Sequence, residues 1–248
     1  MINRRAISLV LIGSYMAVGL AHASEWQACD RAELEAAMKR AEENLVRQSS
    51  FAMDIHMISY PDPQAAPADE SHSTYLKDGA HSRMRQMGLD AYQNDEISAV
   101  ADPEDRLVVL GNPRPLFDAL VNQRATQLLV GAERLLKRTD VLGTEFRIMY
   151  QANVSAYSHV DVRYDAHGNF SALLLQWRPT TVGELDRPPA KLYSPRVRIT
   201  FGATRALTAS ERADVRSGLG QRLVMDQGRY STIGPWAGYH VVDTRIAP

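Results

Sequence analysis

The feature that most restricts this chain is a change of hydrophobic period at Gln48-Ser49-Ser50. Upstream, Leu34, Ala37, Met38, Ala41 and Leu45 recur at spacings of three and four, with Glu35, Lys39, Glu42, Glu43 and Arg47 on the other side. That pattern is an amphipathic helix. Downstream, Phe51, Met53, Ile55 and Met57 alternate with Ala52, Asp54 and His56. Period 2 sends successive side chains to opposite faces of a strand, so one face of this segment is apolar. A one-sided helix joined by a short turn to a one-sided strand buries both surfaces by folding back on itself.

The rest of the chain repeats the strand signal. Asp30 followed by Glu33 has the spacing of a capping box at the start of the helix. A Pro- and Ala-rich stretch over 61–68 reads as a loop. Segments 73–77 and 80–87 flank Asp78-Gly79, a hairpin turn because Gly tolerates positive φ. Segments 95–101 and 106–110 bracket Asp102-Pro103-Glu104-Asp105, where Pro presets the turn. The spacing predicts a helix over 115–130, with Pro115 in its first turn and Gly131 beyond its end. Strands are expected at 134–141 and 145–151 around Gly143, and at 158–164 and 170–177 around Gly168. The Pro-punctuated segment 179–195 has no regular period and reads as a long surface excursion. Val197, Ile199 and Phe201 then alternate with Arg196, Arg198 and Thr200. Thr208 and Glu211 repeat the capping-box spacing before a short helix, and 238–246 reads as a closing strand. No repeat or linker divides the chain. The expected class is α+β, mostly antiparallel β, in one domain.

The beginning of the chain bears on location. Arg4 and Arg5 precede an apolar run over 6–20 that ends in Ala21-His22-Ala23, the form of a secretory signal peptide. Ser8, Gly13, Ser14 and Gly19 interrupt the run, which is too short and polar to span a bilayer as a helix. Cleavage is expected after Ala23, leaving a single domain over 24–248 in the periplasm, with no integral membrane span. The one cysteine, Cys29, cannot form an intramolecular disulfide. Trp26-Gln27-Ala28 lacks the small and aliphatic residues that precede a lipidated cysteine, so no lipid is expected on it. The 28 basic residues are scattered among 29 acidic ones, which excludes nucleic acid as a partner.

Several local sequences fall in a familiar order. The helix passes directly into Phe51-Ala52-Met53-Asp54-Ile55, and Lys77-Asp78-Gly79 sits in the first hairpin. Asp102-Pro103 precedes Arg106-Leu107-Val108-Val109-Leu110, followed by Pro113 and Leu116-Phe117. Tyr164-Asp165 and Gly168 precede the run from Phe170 to Leu175. Over 30–177 this order resembles the periplasmic lipoprotein-carrier (LolA-like) superfamily. The resemblance implies a strongly curved antiparallel sheet, an unclosed barrel, with helices covering its concave face. It also implies lipid, acyl chains or lipoproteins as partners. The 179–195 excursion and the chain after Ala203 depart from a plain carrier.

Enzyme signatures are mostly missing: the chain has no G-x-S-x-G elbow, H-E-x-x-H helix, Walker A loop or G-x-G-x-x-G turn, which excludes only enzymes that carry such motifs. The signal peptide, the helix-to-hairpin order and the methionines on strands make the leading expectation a non-catalytic protein that binds a hydrophobic ligand or lipidated partner. An envelope interaction module with a self-filled core is the alternative, and a periplasmic hydrolase or metal-dependent enzyme stands behind both. Met53, Met57, Met84, Met87 and Met149 lie on expected strands, where unbranched, adaptable side chains suit flexible ligands as well as ordinary cores. The ligand-binding candidates are Leu45, Phe51, Met53, Ile55, Met57 and Met84. Asp54 with His56, and His159 with Asp161, each share a strand face, and together they offer imidazole and carboxylate groups suited to zinc. Neither pair matches a recognised ligand spacing, so no metal and no cofactor is expected. Arg83 and Arg85 flank Met84 and read as a solvated strand face or a cavity rim.

Overall fold

The turn at 48–49 folds the chain back as the change of period requires. The computed structural model describes residues 25–86, 88–114, 128–181 and 192–245. A short β1 (Gln27–Ala28) precedes α1 (Arg31–Arg47), which buries Leu34, Met38 and Ala41. Then come β2 (Ser50–Tyr60), β3 (Asp69–Asp78), β4 (His81–Gln86), β5 (Leu89–Gln93), β6 (Ser98–Asp102) and β7 (Leu107–Gly111), an antiparallel meander. A second run comprises β8 (Ala132–Asp140), β9 (Gly143–Tyr150), β10 (Tyr157–Asp165) and β11 (Phe170–Trp177). The 179–195 excursion is pinched at its base by a ladder of β12 (Thr180–Thr181) with β13 (Leu192–Tyr193). After β14 (Arg196–Phe201) the chain forms α2 (Ala209–Ser217), the hairpin β15 (Leu223–Asp226) and β16 (Arg229–Thr232), and finally β17 (His240–Asp243).

Among the described residues thirteen strands form one curved sheet, ordered β1, β8, β9, β10, β11, β14, β2, β3, β4, β5, β6, β7, β17. β14 joins the two runs by pairing with β11 on one side and β2 on the other. β1 and β17 remain as separate edges, so the sheet does not close into a barrel. The fold is α+β with a large antiparallel sheet, and β17 adds in parallel to β7. Gly143 opens β9 at φ +140°, and a Cβ there would lie 1.9 Å from the Tyr164 carbonyl oxygen. Only glycine admits that approach.

The concave face holds the main core. Leu34 and Met38 of α1 pack with Phe51 and Ile55 of β2 and with Ile148, Val160, Val162 and Leu173 of the second run. Leu128 and Leu129 join this core, while the expected helix over 115–130 lies almost wholly outside the described residues. The convex face carries a second core, absent from the sequence expectations. Tyr92, Ala99, Ala101, Val108 and Leu110 are covered there by Leu219, Leu223 and Trp236. Ala52 and Leu76 are covered in turn by Leu207 and Val215. The segment from Leu207 to Trp236 is therefore a cap on the outside of the sheet, before β17 rejoins the sheet at its edge.

Four further points differ from the sequence expectations. Asp30 makes no side-chain cap: the Glu33 N–H donates to the Asp30 carbonyl oxygen at 3.1 Å, and the Glu33 carboxylate pairs with Lys137 on β8. β5 was not expected, and β3 begins at Asp69 rather than within the 73–77 segment. β2 is not simply half-buried, since Ala52 is also fully buried on its outer face. At α2 the capping box forms as expected: Glu211 N–H donates to Thr208 Oγ1 at 3.2 Å, and Thr208 N–H donates to Glu211 at 2.8 Å.

Candidate functional site

The C-terminal turn of α1 is held above the concave face from two directions. Lys77 Nζ donates to the Leu45 carbonyl oxygen at 3.3 Å, meeting one of the orphan carbonyls at a helix end. Burial pushes the Lys77 ammonium below its ordinary pKa. On the other side Asn44 Nδ2 donates to Asn169 Oδ1 at 3.1 Å and to the His167 carbonyl at 3.3 Å. Between these anchors Leu45 is half-buried, and Phe170 is buried with its ring centre 5.1 Å from that of Tyr164 and 6.3 Å from that of Phe201.

Three clefts succeed one another there. The first, about 370 Å³, is lined by apolar Leu45, Met53, Phe170 and Phe201 and by polar Gln48 and Asn169. The second, also about 370 Å³, shares Leu45 and Phe170 and adds Phe51 and Tyr75. The third, about 350 Å³, shares Tyr75 and Gln93 with the second and is lined by Met84, Ala91, Val100 and Val109. Each volume lies in the range of about 300–1,000 Å³ typical of ligand pockets. Ser71 and Ser73 stand opposite Met57 and Ile55 on the same face, and their Oγ atoms have no hydrogen-bond partner among the described residues.

Leu45, Phe51, Met53 and Met84 thus line the clefts. Ile55 does not: it is fully buried in the core beneath α1. Met57 is half-buried beside that core, and Gln86 Nε2 approaches its sulfur at 3.5 Å. Tyr75 and Phe170 were missed as cleft residues. Both alternate correctly within their strands, but their opposition across the clefts depends on the curvature of the sheet.

The two His/Asp pairs are on the convex face and do not meet. β10 and β2 are separated by β11 and β14, so the pairs are at least about 14 Å apart at the usual strand spacing. Asp161 is bound by Arg147 through two hydrogen bonds of 2.7 Å, leaving its carboxylate engaged. Burial lowers the pKa of the neighbouring His159, opposed by Asp161 and assisted by Arg147. Trp26 lies on the same outer face with the Arg147 and Arg138 guanidinium groups 4.4 Å and 4.6 Å from its ring centre. On β2, His56 Nε2 hydrogen-bonds Glu70 at 2.6 Å, whereas Asp54 accepts from Thr74 at 2.9 Å. A convex depression of about 600 Å³ beside this pair is lined in part by His56, His72, Thr74, Arg83 and Arg85. Arg83 also ion-pairs with Asp214 of α2 and, at 3.2 Å, with Asp90, so it fixes the cap to the sheet.

No family model matches the chain, and no curated protein does. Among solved structures it is similar to a LolA superfamily protein from Nitrosomonas europaea, at 11% identity over 72% of this chain and 95% of the other, with TM-score 0.32. A DUF1329 family protein from Desulfovibrio piger is 11% identical over 75% of this chain and 98% of its own, with TM-score 0.33. A domain from Vibrio parahaemolyticus named for outer membrane lipoprotein sorting is 12% identical over 75% and 98%, with TM-score 0.29. No described helix is long and apolar enough to cross a membrane.

Proposed function

We propose that this chain is a periplasmic cell-envelope protein that holds a hydrophobic ligand, an acyl chain or a lipidated partner, in the concave clefts and performs no catalysis on it. The observation that carries this reading is the succession of apolar clefts sharing Leu45, Phe170 and Tyr75. Adaptable methionines, Met53 and Met84, stand in their walls, where unbranched side chains suit a flexible guest. Residues 1–23 serve as a signal peptide removed after Ala23, and 24–248 remain as one domain. An interaction module is the second reading, favoured by the solid packing beneath α1, where Leu34, Ile148, Val160 and Val162 are fully buried. Native mass spectrometry of protein isolated from the periplasm tests the choice. Acyl-bearing mass released on denaturation is the expected result; bare protein that takes up no lipid from vesicles would favour the interaction module.

A further inference from the structure

We propose that His56, Glu70 and His72 form a divalent transition-metal site of the zinc class on the convex face. β2 and β3 pair so that His56 stands directly opposite His72, with Glu70 two residues along on the same face. The donor atoms of the three side chains all lie within 4.8 Å of one another. His56 Nε2 is 2.6 Å from Glu70 Oε1, and His72 Nε2 is 4.0 Å from that same oxygen. Donors on a tetrahedral zinc ion with bonds of 2.0–2.2 Å are about 3.4 Å apart, a value these two distances bracket.

The imidazoles are stacked, with ring centres 4.1 Å apart and planes 10° from parallel. A shared ion needs them to tilt toward each other and the His56–Glu70 hydrogen bond to open. Rotation about the broad terminal torsion of histidine supplies that movement. The backbone beneath is fixed, because β2 lies inside the sheet between β14 and β3. Two imidazoles and one carboxylate are a donor set for Zn²⁺, Cu²⁺ or Ni²⁺ rather than for Mg²⁺ or Ca²⁺, which prefer oxygen. Three protein ligands leave a coordination position open toward the adjoining depression, where water completes the shell.

The test is calorimetric titration of tag-free protein with Zn²⁺ and, separately, Mg²⁺. The Cys29→Ser protein serves as background to remove the one thiol. One saturable Zn²⁺ site and none for Mg²⁺ is expected. His72→Ala should weaken it more than about 10-fold, since even outer-shell partners are worth 10–100-fold. His72 is exposed, so this change leaves the fold intact. Zinc binding by His72→Ala equal to that of its parent, or no saturable binding by either parent, would overturn the site. Binding lost in Cys29→Ser but kept in His72→Ala would assign the metal to the thiol and equally refute it.

Discussion

Replacing Leu34 and Leu45 separately with Ala distinguishes a packed helix from a ligand cover. Leu34 is completely buried, with core side chains from both runs of the sheet packed around it. Truncating it leaves a cavity, and its loss should destabilise by about 2–5 kcal/mol. Leu45 is only half-buried, packing on the core with one side while lining two clefts with the other. Full burial of a leucine contributes about 1.5–3 kcal/mol, so half of that, roughly 1 kcal/mol, is at stake in Leu45→Ala. The truncation also merges and widens the first two clefts. Equilibrium urea unfolding gives the stabilities, with an unchanged slope showing that compactness is preserved. Retention of a fluorescent long-chain fatty acid gives the second quantity. Leu45→Ala should alter retention several-fold at small stability loss, and Leu34→Ala the reverse. Equal stability losses with unaltered retention would refute the assignment of this helix end to ligand binding.

The convex cap gives two further tests. Asp90, with Arg83 at 3.2 Å and Arg222 at 3.9 Å, is buried; Asp90→Ala leaves Arg83 with Asp214 alone and Arg222 without a carboxylate, and should destabilise by roughly 1–3 kcal/mol, with amide-exchange protection falling first over 206–245. Arg205 and the Thr208 amide hold the Glu211 carboxyl well below its ordinary 4.5, at about 2. A depressed carboxyl stabilises fully above its unfolded value and loses that contribution as pH falls, so the deficit of Glu211→Gln should be full at pH 6 and shrink between pH 4.5 and 2 in denaturation curves. Thr208→Ala, which removes the cap itself, should cost about 0.5–2 kcal/mol by urea unfolding. N-terminal sequencing of exported protein should begin at Ser24; a product beginning at Cys29 with acyl mass would refute the cleavage assignment.

Local patterns were legible where one interaction decides the outcome. The stripe of α1, the turn at Gly79 and the capping box at Thr208 and Glu211 each follow from residues a few positions apart. Asp30 and Glu33 show the limit. Their spacing suits a cap, but a lysine on β8, brought close only by folding, takes the glutamate. β5 was hidden because Asp90 and Tyr92 face a buried ionic cluster while Leu89 is exposed, which inverts the usual pattern of apolar inside and polar outside. The cap had a signal that passed unread. Ser98-Ala99-Val100-Ala101 and Leu107-Val108-Val109-Leu110 are apolar on both faces, and a strand apolar on both faces is covered on both.

The candidate site was legible in the same measure. Alternation correctly put Phe51 and Met53 on one face of β2 and His56 on the other, since that needs only the strand period. Joining His56 to His72 needed one more quantity, the register across the 61–68 loop. A shift of a single residue would send His72 to the concave face and bring a serine into its place. The cap and α1 cover different stretches of the sheet, and among the described residues a depression adjoins β2 outside near His56 and a cleft adjoins it inside near Met53. A hydrophobic guest and a metal ion would therefore occupy opposite faces of one hairpin, read by odd and even positions of β2 respectively. Each is accessible to substitution without disturbing the side chains that hold the other.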